Sequence, residues 1–124
     1  DSDGFFYFQG REDFLIIKGG ENIYPAELEN VLYQHPDIIE CAVIGIPHKL
    51  LGEDICAFVK CKEESKVSEI ELKEFCKNNI GSFKLPQKIV IINLLNDLDD
   101  IPKGPTKKIL YRELKKYYME NYQK

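Results

Sequence analysis

No apolar run in the 124 residues approaches the roughly 18 that a membrane-spanning helix needs, so no span is expected. The chain opens DSDGFFYF, with neither an initiator Met nor a basic segment leading into an apolar one. No targeting signal is read there, and the expectation is a piece cut from a longer chain. Among the four cysteines, Cys41, Cys56, Cys61 and Cys76, there is no CxxC pair, and only His35 and His48 could join them. A zinc site and a disulfide framework are therefore both disfavoured. Three of the four sit within apolar runs, which predicts buried reduced thiols and a reducing, cytoplasmic compartment. Neither a GxGxxG fingerprint nor a GxxxxGKS/T phosphate loop occurs. The length sets a further bound, because 124 residues make one modest core and are too few for a complete two-substrate enzyme.

What is present is globular composition, 44% hydrophobic and 31% charged, which predicts one soluble domain over residues 1–124. The net charge of −4 is unevenly spread. Residues 1–100 carry ten Lys/Arg against nineteen Asp/Glu, net −9, while residues 101–124 carry seven against two, net +5. A basic end on an acidic body suits an anionic partner or an acidic docking surface, and a solvated Lys-rich helix face accounts for the charge equally. Nucleic acid is disfavoured, because residues 1–100 would repel phosphates.

The apolar clusters Phe5 to Phe8 and Phe14 to Ile17 are too short for helices and flank QGRED, which predicts an N-terminal two-stranded hairpin. Gly19-Gly20 then breaks regularity as a turn from strand to helix. Pro25 suits a first helical turn, with Leu28, Val31, Leu32 and His35 at helical spacing and a stop before Pro36. Ile38 to Ile46 and Ile55 to Cys61 read as paired central strands. Ser68 and Glu71 form a capping box for a second helix ending near Gly81. Lys88 to Asn93 is a third strand of this group. The acidic, turn-rich NDLDDIPKGPT has few apolar anchors and is expected to be loosely held, and a final helix is expected from Lys107 onward. The order ββαββαβα predicts an α+β fold, a small sheet of central strands with helices packed on one or both faces.

Two stretches could carry chemistry. In GREDFLIIKGGENIYPAELE, the glycine pair lets a backbone or a slender ligand approach closely, since no Cβ stands in the way. In IPKGPTKKILYREL, Lys107 and Lys108 fall in the expected first helical turn behind Thr106 as N-cap, beside the positive end of the helix dipole. Lysines so placed, with backbone N–H groups pointing the same way, suit the anionic oxygens of a phosphate or carboxylate.

In this order the two stretches resemble the C-terminal domain of the adenylate-forming superfamily, which includes acyl-coenzyme A synthetases, peptide-synthetase adenylation domains and luciferases. GREDFLIIKGGENIYPAELE resembles the segment GRxDxxIxxGGxxIxPxEIE. VIGIPHKLLGEDICAFV resembles VVGxPDxxxGExxxAFV, and LNDLDDIPKGPTKKILYREL resembles LPxTxxGKIxRxxL. The resemblance implies a mobile lid of an ATP-dependent acid–thiol ligase, inert without its own N-terminal adenylation domain. It implies ATP, Mg2+ and coenzyme A (or a carrier-protein thiol) together with a carboxylic acid in the full-length enzyme, and none bound to this fragment. Residue by residue, it makes Asp13 the hinge, Arg11 a nucleotide contact, Gly19 and Gly20 the lining of the pantetheine tunnel and Lys108 the catalytic lysine of adenylation. It assigns no metal ligand.

Within the GKIxR part of the last motif two positions depart: Lys107 replaces the Gly before the catalytic Lys, and Tyr111 replaces the Arg. Counting Ile109 and Leu110 as the apolar pair that follows selects Lys108 over Lys107. If the motif Gly needs positive φ, Lys107 is strained there by roughly 1 kcal/mol. The alternative function is a degenerate lid serving as a binding or regulatory module.

Overall fold

The computed structural model describes residues 15–80 and 84–122. Strands β1 (Ile16–Lys18) and β2 (Glu21–Ile23) lead into helix α1 (Pro25–Tyr33). Strands β3 (Ile38–His48) and β4 (Gly52–Cys61), helix α2 (Glu69–Ile80), strand β5 (Lys88–Ile91), a 3-10 turn (Ile92–Leu94) and helix α3 (Tyr111–Asn121) follow. The α+β class is thus observed, in a five-stranded sheet; β1 answers to the strand expected at Phe14 to Ile17, and β2 is an additional strand.

The centre of the sheet is the long antiparallel ladder of β3 and β4, running from Ile38 opposite Cys61 to His48 opposite Gly52. The other edge of β4 is shared. Lys18 of β1 pairs antiparallel with Gly52, and β5 runs parallel to β4 from Cys56 opposite Lys88 to Val59 opposite Ile91. Because side chains alternate across a strand, the β-branched runs feed two cores. Cys41, Val43, Ile55, Ala57 and Val59 pack with Leu28 and Leu32 of α1 and Leu72 and Cys76 of α2. Ala42, Ile44, Cys56 and Phe58 pack on the opposite face with Leu114 and Tyr118 of α3. Helices therefore cover both faces, which is why β3 and β4 read as nearly continuous apolar runs.

Local signals explain the helix starts. Pro25 stands at the beginning of α1, where its missing N–H costs nothing. The capping box is formed reciprocally before α2: the Ser68 N–H donates to Glu71 Oε1 at 2.9 Å and the Glu71 N–H to Ser68 Oγ at 3.2 Å. β3 is an edge strand, and side chains of α1 satisfy its outward amides. The Val43 N–H donates to Glu29 Oε2 at 2.9 Å and the Cys41 N–H to the Tyr33 hydroxyl at 3.3 Å.

Five expectations are corrected. Gly19-Gly20 is a hairpin turn between β1 and β2, not a strand-to-helix turn, because Glu21–Ile23 forms a strand too short to show periodicity. His35 lies beyond the end of α1, and β5 gives way to the 3-10 turn at Ile92. The final helix begins at Tyr111 with Leu110 as N-cap, so Thr106 caps nothing and neither Lys107 nor Lys108 is helical. The segment before it is anchored, since Ile101 is fully buried in the second core. Phe5 to Phe8, the first half of the expected N-terminal hairpin, lies outside the described residues; the hairpin observed is β1–β2.

Candidate functional site

The two candidate stretches become two tight turns. In the first, the Lys107 N–H donates to the Gly104 carbonyl and the Gly104 N–H to the Lys108 carbonyl, both at 2.9 Å, and Lys103 pairs antiparallel with Ile109. This is a short hairpin built on Gly-Pro-Thr-Lys: Pro105 pre-sets the first turn residue, and the third loop position must be left-handed. Lys107 occupies it with φ 66°, alone among the described non-glycine residues. The motif Gly is thus a turn glycine, and Lys107 sits in a conformation that costs an L-residue roughly 1–2 kcal/mol. Lys107→Gly is expected to raise the unfolding free energy by about 0.5–1 kcal/mol, the strain relieved less the added chain entropy of glycine, measured by urea denaturation of this chain.

The hairpin is fixed at its base. Lys103 Nζ lies 2.8 Å from Glu40 Oε1 and 3.3 Å from Asp100 Oδ1, and Lys60 Nζ reaches the same Asp100 oxygen at 3.3 Å. Its bond to Glu40 raises the affinity of Lys103 for its proton. Burial pushes the Asp100 carboxyl up, but the Ile101 N–H, Lys103 and Lys60 outweigh it and leave the group below its usual value. The Leu110 N–H closes the loop on the Pro102 carbonyl at 2.9 Å. Tyr111, where the motif has Arg, donates its hydroxyl to buried Glu29 Oε2 at 3.0 Å, the oxygen that also receives the Val43 N–H. That departure links α3 to α1 by a hydrogen bond past the edge strand β3, which lies between the two helices. Lys108 itself is exposed, as are Lys107, Arg112, Lys115 and Lys116.

The second turn joins β1 to β2. Gly19 and Gly20 have φ of 59° and 86°, the pair of left-handed residues that a two-residue hairpin turn requires. The Gly19 N–H donates to the Leu51 carbonyl at 2.8 Å, tying this turn to the β3–β4 turn. Beneath it lies the buried ion pair of Lys18 with Asp54, 3.1 Å apart. Glu53 crosses the same region: Oε1 accepts the Ile17 N–H at 2.9 Å, and Oε2 would lie 2.8 Å from any Cβ at Gly45. Glu53 and Ile16, the latter 3.1 Å from the same Cβ position, thus occupy the space that a side chain at position 45 would fill. A Cβ on Gly20, by contrast, would meet nothing within 4 Å.

The two turns are not brought together. One is anchored at Glu40 and Lys60 and the other at Leu51 and Gly52, the opposite ends of the β3–β4 ladder. Glu40 to His48 spans about 26 Å at ordinary strand rise. Arg11 and Asp13 lie outside the described residues. The four cysteines are buried and free. Burial pushes the thiols of Cys56 and Cys76 up to about 12 and about 11, which makes them packing groups and not nucleophiles. Among the described residues no group of three or more His, Cys, Asp or Glu is placed to hold a metal ion, and no helix is long and apolar enough to cross a membrane. The sequence alone did not point to Glu29, Lys18, Asp54 or His48; their partners come from distant parts of the chain or from turn geometry.

Residues 27–108 match the family described as AMP-binding enzyme C-terminal domain. The chain is 40% identical over 116 residues to 2-succinylbenzoate–CoA ligase of Geobacillus kaustophilus, covering 94% of this chain and 22% of that enzyme. It superposes on ATP-bound MatB from Rhodopseudomonas palustris with TM-score 0.79 at 29% identity, over 93% of this chain and 21% of that one. With o-succinylbenzoate CoA synthetase from Bacillus subtilis, in complex with its acyl-adenylate intermediate, the TM-score is 0.72 at 38% identity, over 83% of this chain and 20% of the other. The chain thus spans about a fifth of the length of such relatives.

Proposed function

The chain belongs to the AMP-binding enzyme C-terminal domain family, and from that premise we propose that it is the mobile lid of an ATP-dependent acid–thiol ligase, presenting one turn to each of two half-reactions. In adenylation, an oxygen of the carboxylic acid attacks the α-phosphorus of ATP and pyrophosphate leaves. Lys108 sits between the two anions, where its ammonium offsets their repulsion and stabilises the charge of the pentavalent transition state. Arg11 contacts the nucleotide. The lid then rotates about Asp13 and brings Gly19 and Gly20 against the pantetheine arm of coenzyme A, or of a carrier protein. The thiol sulfur attacks the acyl carbonyl and AMP leaves. Magnesium would accompany ATP, and the resemblance assigns it no residue of this chain.

The observation that carries this proposal is the placement of the lysine turn and the glycine turn at opposite ends of one rigid ladder. A single pose could not bring both to one reaction centre. Fixed internally by the Lys103–Glu40 and Lys18–Asp54 pairs, the domain suits movement as a body. The isolated chain is expected to release no pyrophosphate with ATP and any carboxylic acid. The full-length protein is expected to show acid-dependent ATP–pyrophosphate exchange and thiol-dependent AMP release. A full-length protein without acid-dependent exchange would favour instead a lid that has become a binding or regulatory module.

A further inference from the structure

His48 ends β3 at the turn into β4, and its ring organises that turn. Nδ1 accepts the N–H of Leu50 and the N–H of Leu51, each at 3.1 Å. A nitrogen that accepts two donors carries no proton, so the neutral ring holds its hydrogen on Nε2. The carbonyl of Leu51 in turn accepts the Gly19 N–H at 2.8 Å, and Gly52 pairs with Lys18. One imidazole lone pair therefore sets the backbone on which the Gly19-Gly20 turn rests.

We infer that His48 is a positioning residue for the Gly19-Gly20 turn, and that protonation of its ring loosens that turn and slows thioester formation selectively. The inference rests on the proposal that these glycines serve the second half-reaction. Protonation would place an N–H where two N–H groups now point, so both amides lose their acceptor and the Leu51 carbonyl is free to shift. The charged groups on the elements meeting here are Lys49 in the turn, Glu53 and Asp54 on β4, Lys18 on β1 and Glu21 on β2. Glu53 is engaged with the Ile17 N–H, and Asp54 with Lys18 and the Ile55 N–H. The motif that VIGIPHKLLGEDICAFV resembles carries Asp at this position, a residue type whose side-chain oxygen can accept turn N–H groups. The lysine turn, anchored at the other end of the ladder, has no link to this switch.

The test uses the full-length enzyme and follows adenylation by ATP–pyrophosphate exchange, and thioester formation from supplied acyl-adenylate and coenzyme A, between about pH 8 and pH 5.5. The ratio of thioester formation to adenylation is expected to fall about tenfold from the alkaline to the acid end of that range, as protonation takes the acceptor from both amides. His48→Asn places an amide oxygen where Nδ1 stands and does not titrate, so its ratio should stay flat and match the native enzyme at about pH 8. His48→Ala removes the acceptor and should lower the ratio about tenfold at every pH, with faster amide hydrogen exchange over 16–23 than in His48→Asn. His35, whose Nδ1 accepts the Asp37 N–H at 3.1 Å, is the control, and His35→Asn should leave the acid fall in place. An unchanged acid fall in His48→Asn would overturn the role of His48. If bulky substitutions at Gly20 still slow thioester formation in that case, the two-turn proposal stands without it; if they do not, the proposal beneath it has failed instead.

Discussion

Replacing Lys108 with alanine in the full-length enzyme is expected to slow adenylation by about 10²–10³-fold, the scale of losing one preorganised charge-stabilising group. Thioester formation from supplied acyl-adenylate should change little, because in the proposed cycle the lysine contact belongs to the first pose only. The domain should tolerate the change, since the side chain is exposed and the turn is held through the backbone of Lys108. Neutralising the amine by acetylation should act in the same way. Pyrophosphate exchange and single-turnover thioester formation, measured on the same preparation, separate the two effects. Loss of exchange in Lys107→Ala with none in Lys108→Ala would move the assignment to the strained residue. Loss in neither would bring forward the regulatory-module alternative.

A bulky side chain at Gly20 should do the reverse. Gly20→Leu is expected to leave adenylation within about twofold and slow thioester formation about 10²-fold, as when reacting groups are held about an ångström out of place. The geometry makes this separable from folding. A Cβ at Gly20 meets nothing within 4 Å, so the cost to the domain itself is confined to the backbone φ of 86°. That strain is roughly 1–2 kcal/mol and can be read from denaturation of this chain. Gly20→Asn, better suited to left-handed backbone, should carry less strain and a smaller kinetic effect. Equal losses in both half-reactions would contradict the use of two turns for two steps.

Much of this was determined by short stretches of sequence acting alone. Pro25 and the Ser68/Glu71 box start their helices where expected, because capping needs only residues three apart. The β-branched runs of β3 and β4 specify the central ladder, and the cysteines within the apolar runs are buried with it. Tertiary structure decided the rest. Ile109, Leu110 and Leu114 fit a helical period, yet the chain turns back at Gly104 to Lys107 and α3 starts only at Tyr111, since periodicity cannot distinguish a hairpin return from a first helical turn. Glu21–Ile23 is a strand only because β1 lies beside it. Tyr111 and Glu29 meet across 82 residues, and Gly19 rests on the His48 turn, because packing two cores on one sheet brings those segments together. No local pattern encodes such pairings: each partner looks like an ordinary surface residue until the sheet closes and leaves its hydrogen bond to be made inside the protein.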